Sequence, residues 1–245
     1  MLVRSFRDPR WLSNTWLLAD RPGGHAVVVD TGGPFAPLRA AVEEWGVEVT
    51  HVLCTHHHPD HVAHNADCVA AWGCPVCAHA GEAPWMQDLE RTLVDGEELR
   101  SGDLHVRALH IPGHTAGQLG FLVDGSHVLT GDTLFRDSIG GTAGHGHTTL
   151  EDLRHSLLDV LLGLPDDTVV LPGHMEETTI GRERRENPFL QAFAAPTPPP
   201  LRRCTVGGRP AELLLEARDY DGGTKAWVRM ADDDLETVVP GSAVR

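Results

Sequence analysis

The segment Thr55-His56-His57-His58-Pro59-Asp60-His61 constrains this chain more than any other. It follows Val47 to Cys54, a largely apolar and β-branched run that reads as a buried strand. In an extended segment alternate side chains point the same way, so His56 and His58 converge while His57 faces elsewhere. A helix is expected from Pro59 to Trp72, closed by Gly73. Asp60 and His61 fall on its first turn and face back toward the same point. Imidazole nitrogens and a carboxylate oxygen are donors that borderline divalent ions such as zinc prefer, and neutral histidine is available near pH 7. The fold must therefore end a buried strand at a polar loop that two metal ions can share.

Around that loop the spacing predicts alternating β and α elements. Asn14 to Ala19 and His25 to Asp30 read as strands separated by the turn Arg21-Pro22-Gly23-Gly24, and Pro37 to Trp45 reads as a helix stopped by Gly46. Leu104 to His110, Leu119 to Val123 and His127 to Thr130 read as antiparallel strands, with Asp124-Gly125 as a hairpin turn. Thr149 and Asp152 form a capping-box pattern ahead of a stripe of Leu150, Leu153, Leu157 and Leu161. Thr168 to Leu171 is a strand, and Thr178 to Glu186 a helix. Mixed elements in both halves suggest a four-layer αββα sandwich, although periodicity alone supports α/β or α+β.

With 245 residues, 41% of them apolar, the chain can fill one large domain or a medium domain and a small module. Twenty Lys and Arg against 35 Asp and Glu give a net charge of -15, which would repel a phosphate backbone, so no nucleic-acid partner is expected. No apolar stretch has signal-peptide or membrane-spanning length, and a cytoplasmic location with no membrane partner is expected. The five cysteines fit reduced thiols, and the pair Cys74 and Cys77 reads as small core residues on a strand. The 16 histidines are too many for chance surface placement.

Three further motifs follow the histidine loop in order: Gly113-His114-Thr115-Ala116-Gly117, Thr130-Gly131-Asp132-Thr133-Leu134-Phe135 and Pro172-Gly173-His174, each at an expected strand end. Together with H-x-H-x-D-H they resemble the signature of the metallo-β-lactamase superfamily over residues 1 to 190. The resemblance implies an α+β, four-layer αββα hydrolase domain over 1–195, with a Pro-rich linker at 196–203. A small β-barrel-like module over 204–245 lies outside it. It also implies two divalent ions, zinc or alternatively iron or manganese. His56, His58 and His114 would hold the first, Asp60, His61 and His174 the second, and Asp132 would bridge them. A hydroxide between the ions would attack the substrate carbonyl, with Asp60 orienting it. His145 and His147 lie on a loop expected to border the site and are candidates for substrate contact. His57 and His64 fall outside the ligand pattern. Trp11, Trp16, Trp45, Trp72 and Trp85 read as core or rim packing, and Arg184 and Arg185 as solvated.

Asp132 argues against the antibiotic-hydrolysing branch, which typically has cysteine there. The Thr-Gly-Asp-Thr-Leu-Phe segment, with Thr179-Ile180-Gly181 and Asn187-Pro188-Phe189-Leu190, is similar to hydroxyacylglutathione hydrolase (glyoxalase II) and its short bacterial relatives. That similarity implies a small-molecule acyl thioester as substrate, with a thiolate that leaves without protonation. The chain departs from the pattern at Gly140-Gly141, where a Gly-Arg pair is common, and at Ala63-His64. Alternatives are a mononuclear iron persulfide dioxygenase using His56, His114 and Asp132, a lactone or ester hydrolase, and a non-catalytic metal-binding scaffold.

Overall fold

Strands that are apolar on both faces organise the computed structural model, which describes residues 1–197 and 200–245. The first sheet contains β1 (Leu2–Arg7), β2 (Asn14–Ala19), β3 (His25–Val29), β4 (Glu48–Leu53), β5 (Val76–His79) and β6 (Arg91–Leu93) in that order. Its side chains alternate: Leu17, Ala19, Ala26 and Val28 pack under one layer of helices, while Trp16, Leu18, Val27 and Val29 face the second sheet. A strand buried on both sides needs cover on both sides, which the layered architecture supplies.

The second sheet runs through β7 (Glu98–Ser101), β8 (Leu104–His110), β9 (Leu119–Val123) and β10 (His127–Gly131). A two-stranded hairpin, β11 (Leu134–Phe135) and β12 (Ser138–Ile139), follows. β13 (Val169–Pro172) then pairs in parallel with β10, and β14 (Thr178–Thr179) forms the edge. Here Val106, Phe121, Leu129 and Leu171 face the first sheet, while Val128 and Val170 face the outer helices. Asp124 and Gly125 have φ of 49° and 65°, the left-handed pair of a turn closed by the Ser126 amide on the Val123 carbonyl (3.1 Å), within the three-residue connection from β9 to β10.

Helices close both outer layers. Helix α1 (Phe35–Trp45) ends at Gly46 in the left-handed region. The helix expected over Pro59 to Trp72 is instead two, α2 (Pro59–Val62) and α3 (Asn65–Trp72). The break has a tertiary cause: the His61 carbonyl accepts from the Thr31 amide (2.7 Å), and the His64 amide donates to the Thr31 carbonyl (3.2 Å). Helix α4 (Leu150–His155) begins with the capping box of Thr149 and Asp152, then widens into π turns over Ser156–Leu161. All four leucines of its stripe are buried. The expected helix from Thr178 starts only at Ile180 as α5 (Ile180–Glu186), because Thr178 and Thr179 pair with Val170 and Val169. The Asn187 side chain accepts from the Phe189 and Leu190 amides and, with Pro188 in the first turn, starts α6 (Pro188–Ala194).

The C-terminal segment is an antiparallel sheet of β15 (Arg202–Val206), β16 (Arg209–Arg218), β17 (Thr224–Met230) and β18 (Glu236–Pro240). β15 opens at Arg202, inside the span read as linker, and the polyproline reading of 195–200 falls partly outside the described residues. Thr205 and Arg245 exchange two backbone hydrogen bonds of 2.8 and 2.9 Å, bringing the chain end back onto β15. Ala211, Leu213, Ala226 and Val228 form this sheet's own core. Leu214, Trp227 and Val238 point the other way, into the cluster that holds the leucine stripe of α4 and Phe189, Leu190 and Phe193 of α6. Burying each is worth roughly 1.5–3 kcal/mol, so the sheet is fastened to the rest by apolar packing.

Candidate metal centre

Four strand ends converge on one point. β4 runs out into Thr55 and the histidine loop, β8 into the loop carrying His114, β10 into Asp132, and β13 into His174. The two sheets are tied together there by the Asn14 amide to the Gly173 carbonyl (2.7 Å) and the Leu119 amide to the Thr55 carbonyl (2.9 Å). Gly173 allows the closest approach, since a Cβ there would collide with the Asp132 carboxylate and the His61 ring.

All seven residues singled out as ligands meet at this point. Donor atoms of His56, His58 and His114 lie within 4.8 Å of one another, as do those of Asp60, His61 and His174 and those of His56, His61 and Asp132. In the first group His58 Nδ1 is 3.0 Å from both His56 Nε2 and His114 Nε2. In the second, His61 Nε2 and His174 Nε2 are 3.3 Å apart, and Asp60 Oδ2 lies 3.6 and 3.4 Å from them. Asp132 stands between the groups, 3.3 Å from His61 and His174 and 3.6 Å from His114. Ligands at 2.0–2.1 Å from a tetrahedral ion are separated by about 3.3 Å, so the spacing fits divalent ions. Asp132 Oδ1, buried and without a hydrogen-bond partner among the described residues, also fits a cation ligand.

The outward ring atoms of His58, His114 and His61 are fixed, which presents their inward lone pairs. His58 Nε2 donates to the His145 carbonyl (2.9 Å), His114 Nδ1 to the Gly141 carbonyl (2.9 Å), and His61 Nδ1 to Asp30 (2.9 Å). Burial holds His56 well below the ordinary imidazole value, and His58 below it; it brings His114 down to about 4. These three are neutral and ready to coordinate. Burial opposes charge on His61 and His174 too, but Asp132 and its neighbours outweigh it, raising His61 well above its ordinary value and His174 to about 9. Burial likewise opposes the Asp132 charge, yet the two histidines hold that carboxyl well below its usual range. Without a metal, protons on His61 and His174 balance the carboxylates.

Two supporting carboxylates escaped sequence reasoning. Asp30, with φ of 54°, accepts from the Thr55 amide (2.7 Å), the Thr55 hydroxyl (2.8 Å) and His61. Its signal was an acid at a strand end in Asp30-Thr31-Gly32-Gly33, a segment that reads as a mere chain break. Glu82, fully buried, accepts from the Thr115 hydroxyl (2.8 Å), the Gly117 amide (2.9 Å), the His57 amide (2.9 Å) and the His57 ring. Nothing local marks it.

The remaining candidates divide. His57 stacks on the exposed Trp85 at 4.4 Å and reaches His145 at 3.2 Å, so His145 borders the centre. His147 turns to the Thr148 carbonyl (2.7 Å). His64 pairs with Asp67, and Arg184 and Arg185 face Asp166, all away from the cluster. Cys74 and Cys77 are free and buried.

A layered αββα protein with a histidine and aspartate cluster able to bind metal at the strand ends defines a class of metal-dependent enzymes. The chain belongs to the metallo-β-lactamase superfamily, whose model matches residues 8–174. An uncharacterized protein of Mycobacterium leprae is 38% identical, over 79% of this chain and 100% of its own length. A hydroxyacylglutathione hydrolase of Rhizobium etli is 34% identical, over 82% of this chain and 91% of that protein. A crystal structure described as a di-iron-bound form is 32% identical with a TM-score of 0.65, covering 78% of this chain and 100% of that one.

Proposed function

We propose that this chain is a two-metal hydrolase of acyl thioesters. The observation that carries the reading is the division of seven donors into two groups that share Asp132, with the outward ring atoms of His58, His61 and His114 held by hydrogen bonds. His56, His58 and His114 would hold one ion, Asp60, His61 and His174 the other, and Asp132 both. When bound, the ions supply Lewis acidity and a water acidified to a pKa of about 7. Asp60, with 24% of its side chain exposed, reaches solvent and would orient that water. The relative named hydroxyacylglutathione hydrolase supports the thioester class, and the neighbour described as di-iron-bound supports two ions. A thiolate leaves without a proton, so the site needs no acid on the leaving side.

Purified protein should contain close to two metals per chain and hydrolyse an acyl thioester, assayed on S-lactoylglutathione and on esters of smaller thiols. Elemental analysis returning one iron, together with oxygen uptake on a persulfide, would replace this reading with the dioxygenase one.

A further inference from the structure

The C-terminal sheet forms one wall of the cleft over the metal centre. The cleft encloses about 390 Å³, with His114, Asp132 and Gly141 on one side and Tyr220, Asp221 and Lys225 on the other. That volume lies within the range of small-molecule sites. The sequence contains one tyrosine and one lysine, and both stand in this wall. The Tyr220 ring is held in place: it stacks on His174 (4.4 Å, 15°) and meets the Phe135 ring edge-on at 4.7 Å. The Lys225 ammonium sits 5.3 Å from its ring centre. Its backbone amide is bound by Asp219, but its hydroxyl has no hydrogen bond among the described residues. A rigid ring with a free donor beside a metal ligand is suited to holding a substrate oxygen.

The wall's charges are unevenly spent. Lys225 Nζ donates to the Ile139 carbonyl (2.6 Å) and faces Asp219 at 3.2 Å, so its charge is matched within the wall. Asp219 also accepts from the Ser138 hydroxyl (2.8 Å). Asp221 is exposed and, among the described residues, accepts only from the Gly223 amide, 2.7 Å away and two residues along its own turn. The uncompensated charge on this wall is therefore negative. Asp221 and Ser242 line the cleft and are themselves exposed, so a substrate whose carbonyl lies at the metal ligands can extend past them.

We propose that this cleft binds the thiol-carrier half of the substrate, that Tyr220 positions it, and that the wall selects carriers without net negative charge. The inference rests on the thioester reading above, and two readouts separate their failures. In the first, metal-loaded protein is given thioesters of one acyl group on thiocholine (cationic), N-acetylcysteamine (neutral) and mercaptosuccinate (anionic). Each rate is referred to that ester's hydroxide-catalysed hydrolysis. We expect kcat/KM for the anionic carrier to be about tenfold below the neutral one, from like-charge juxtaposition, and Asp221→Asn to narrow the gap. Tyr220→Phe, which keeps the stack and removes the hydroxyl, should lower kcat/KM on the order of tenfold with metal content unchanged. The second readout uses protein grown with fluorotyrosine, whose single ¹⁹F resonance reports on Tyr220. It should move with the S-methyl derivative of N-acetylcysteamine and not with that of mercaptosuccinate. A resonance that responds in this way while no thioester is cleaved leaves the pocket standing and sinks the thioester reading. Equal or better turnover of the anionic carrier, unchanged kinetics in Tyr220→Phe, or a ¹⁹F signal indifferent to every derivative overturns the proposal.

Discussion

Asp30→Asn tests whether the carboxylate behind His61 governs the second half of the metal centre. The exchange keeps volume, and asparagine tolerates the left-handed backbone that Asp30 adopts at φ 54°. Three donors point at this carboxylate: the Thr55 amide, the Thr55 hydroxyl and His61 Nδ1. An amide has one accepting oxygen, so in either orientation its NH₂ faces at least one of them. Losing a charge-assisted hydrogen bond in a buried setting costs about 1.5–3 kcal/mol, which in a chain of this size lowers the melting temperature by roughly 4–10 °C. His61 also loses the acceptor that sets its tautomer, and such outer partners are worth about 10- to 100-fold in metal affinity. The assay is metal content against a graded chelator series, with calorimetry of the metal-free form alongside. Asp30→Asn should release one ion per chain at about 10- to 100-fold weaker chelation and keep the other. Two ions held as tightly as in the parent would refute the orienting role.

Three further outcomes follow from the same geometry. Asp132→Ala should abolish turnover and lower metal occupancy, measured by elemental analysis; surviving activity would remove Asp132 as the shared ligand. In metal-free protein His174 is raised from 6.5 to about 9, so its stabilising contribution is fully present below pH 6.5 and is lost as pH rises through 9. Chemical denaturation should therefore show stability falling across that window, on the order of 3 kcal/mol, and a flat or rising profile would contradict the proton balance described. Glu82→Gln should destabilise the fold by about 2–4 kcal/mol, because a buried acceptor of amide, hydroxyl and imidazole protons becomes half donor; an unchanged melting temperature would show that the Glu82 contacts carry little.

How much of this was legible in sequence depends on how far apart the interacting residues lie. The histidine loop and the three later motifs are local patterns at strand ends, and their ring atoms do converge. Leu17 and Leu18, or Val27 and Val28, enter different cores as alternation along any strand requires, but their unbroken apolar runs show no period of two in the sequence. The capping box at Thr149 was local. The break between α2 and α3 was not, since it is made by Thr31, some 30 residues earlier in the chain. Asp30 and Glu82 act through partners 25 or more residues away and carry no ligand spacing of their own. Tyr220 belongs to a hairpin whose Asp-Gly-Gly turn is plain in the sequence, yet only the apolar docking of Trp227 and Val238 brings that ring to His174.

The single lysine has a chemical consequence beyond its place in the cleft wall. With Lys225 buried and the other 19 Lys or Arg positions all arginine, the folded surface offers no side-chain primary amine. Activated acyl donors modify proteins mainly through such amines. Under the thioester reading proposed above, activated acyl donors would find no lysine on the exterior to acylate, whatever carrier they ride on.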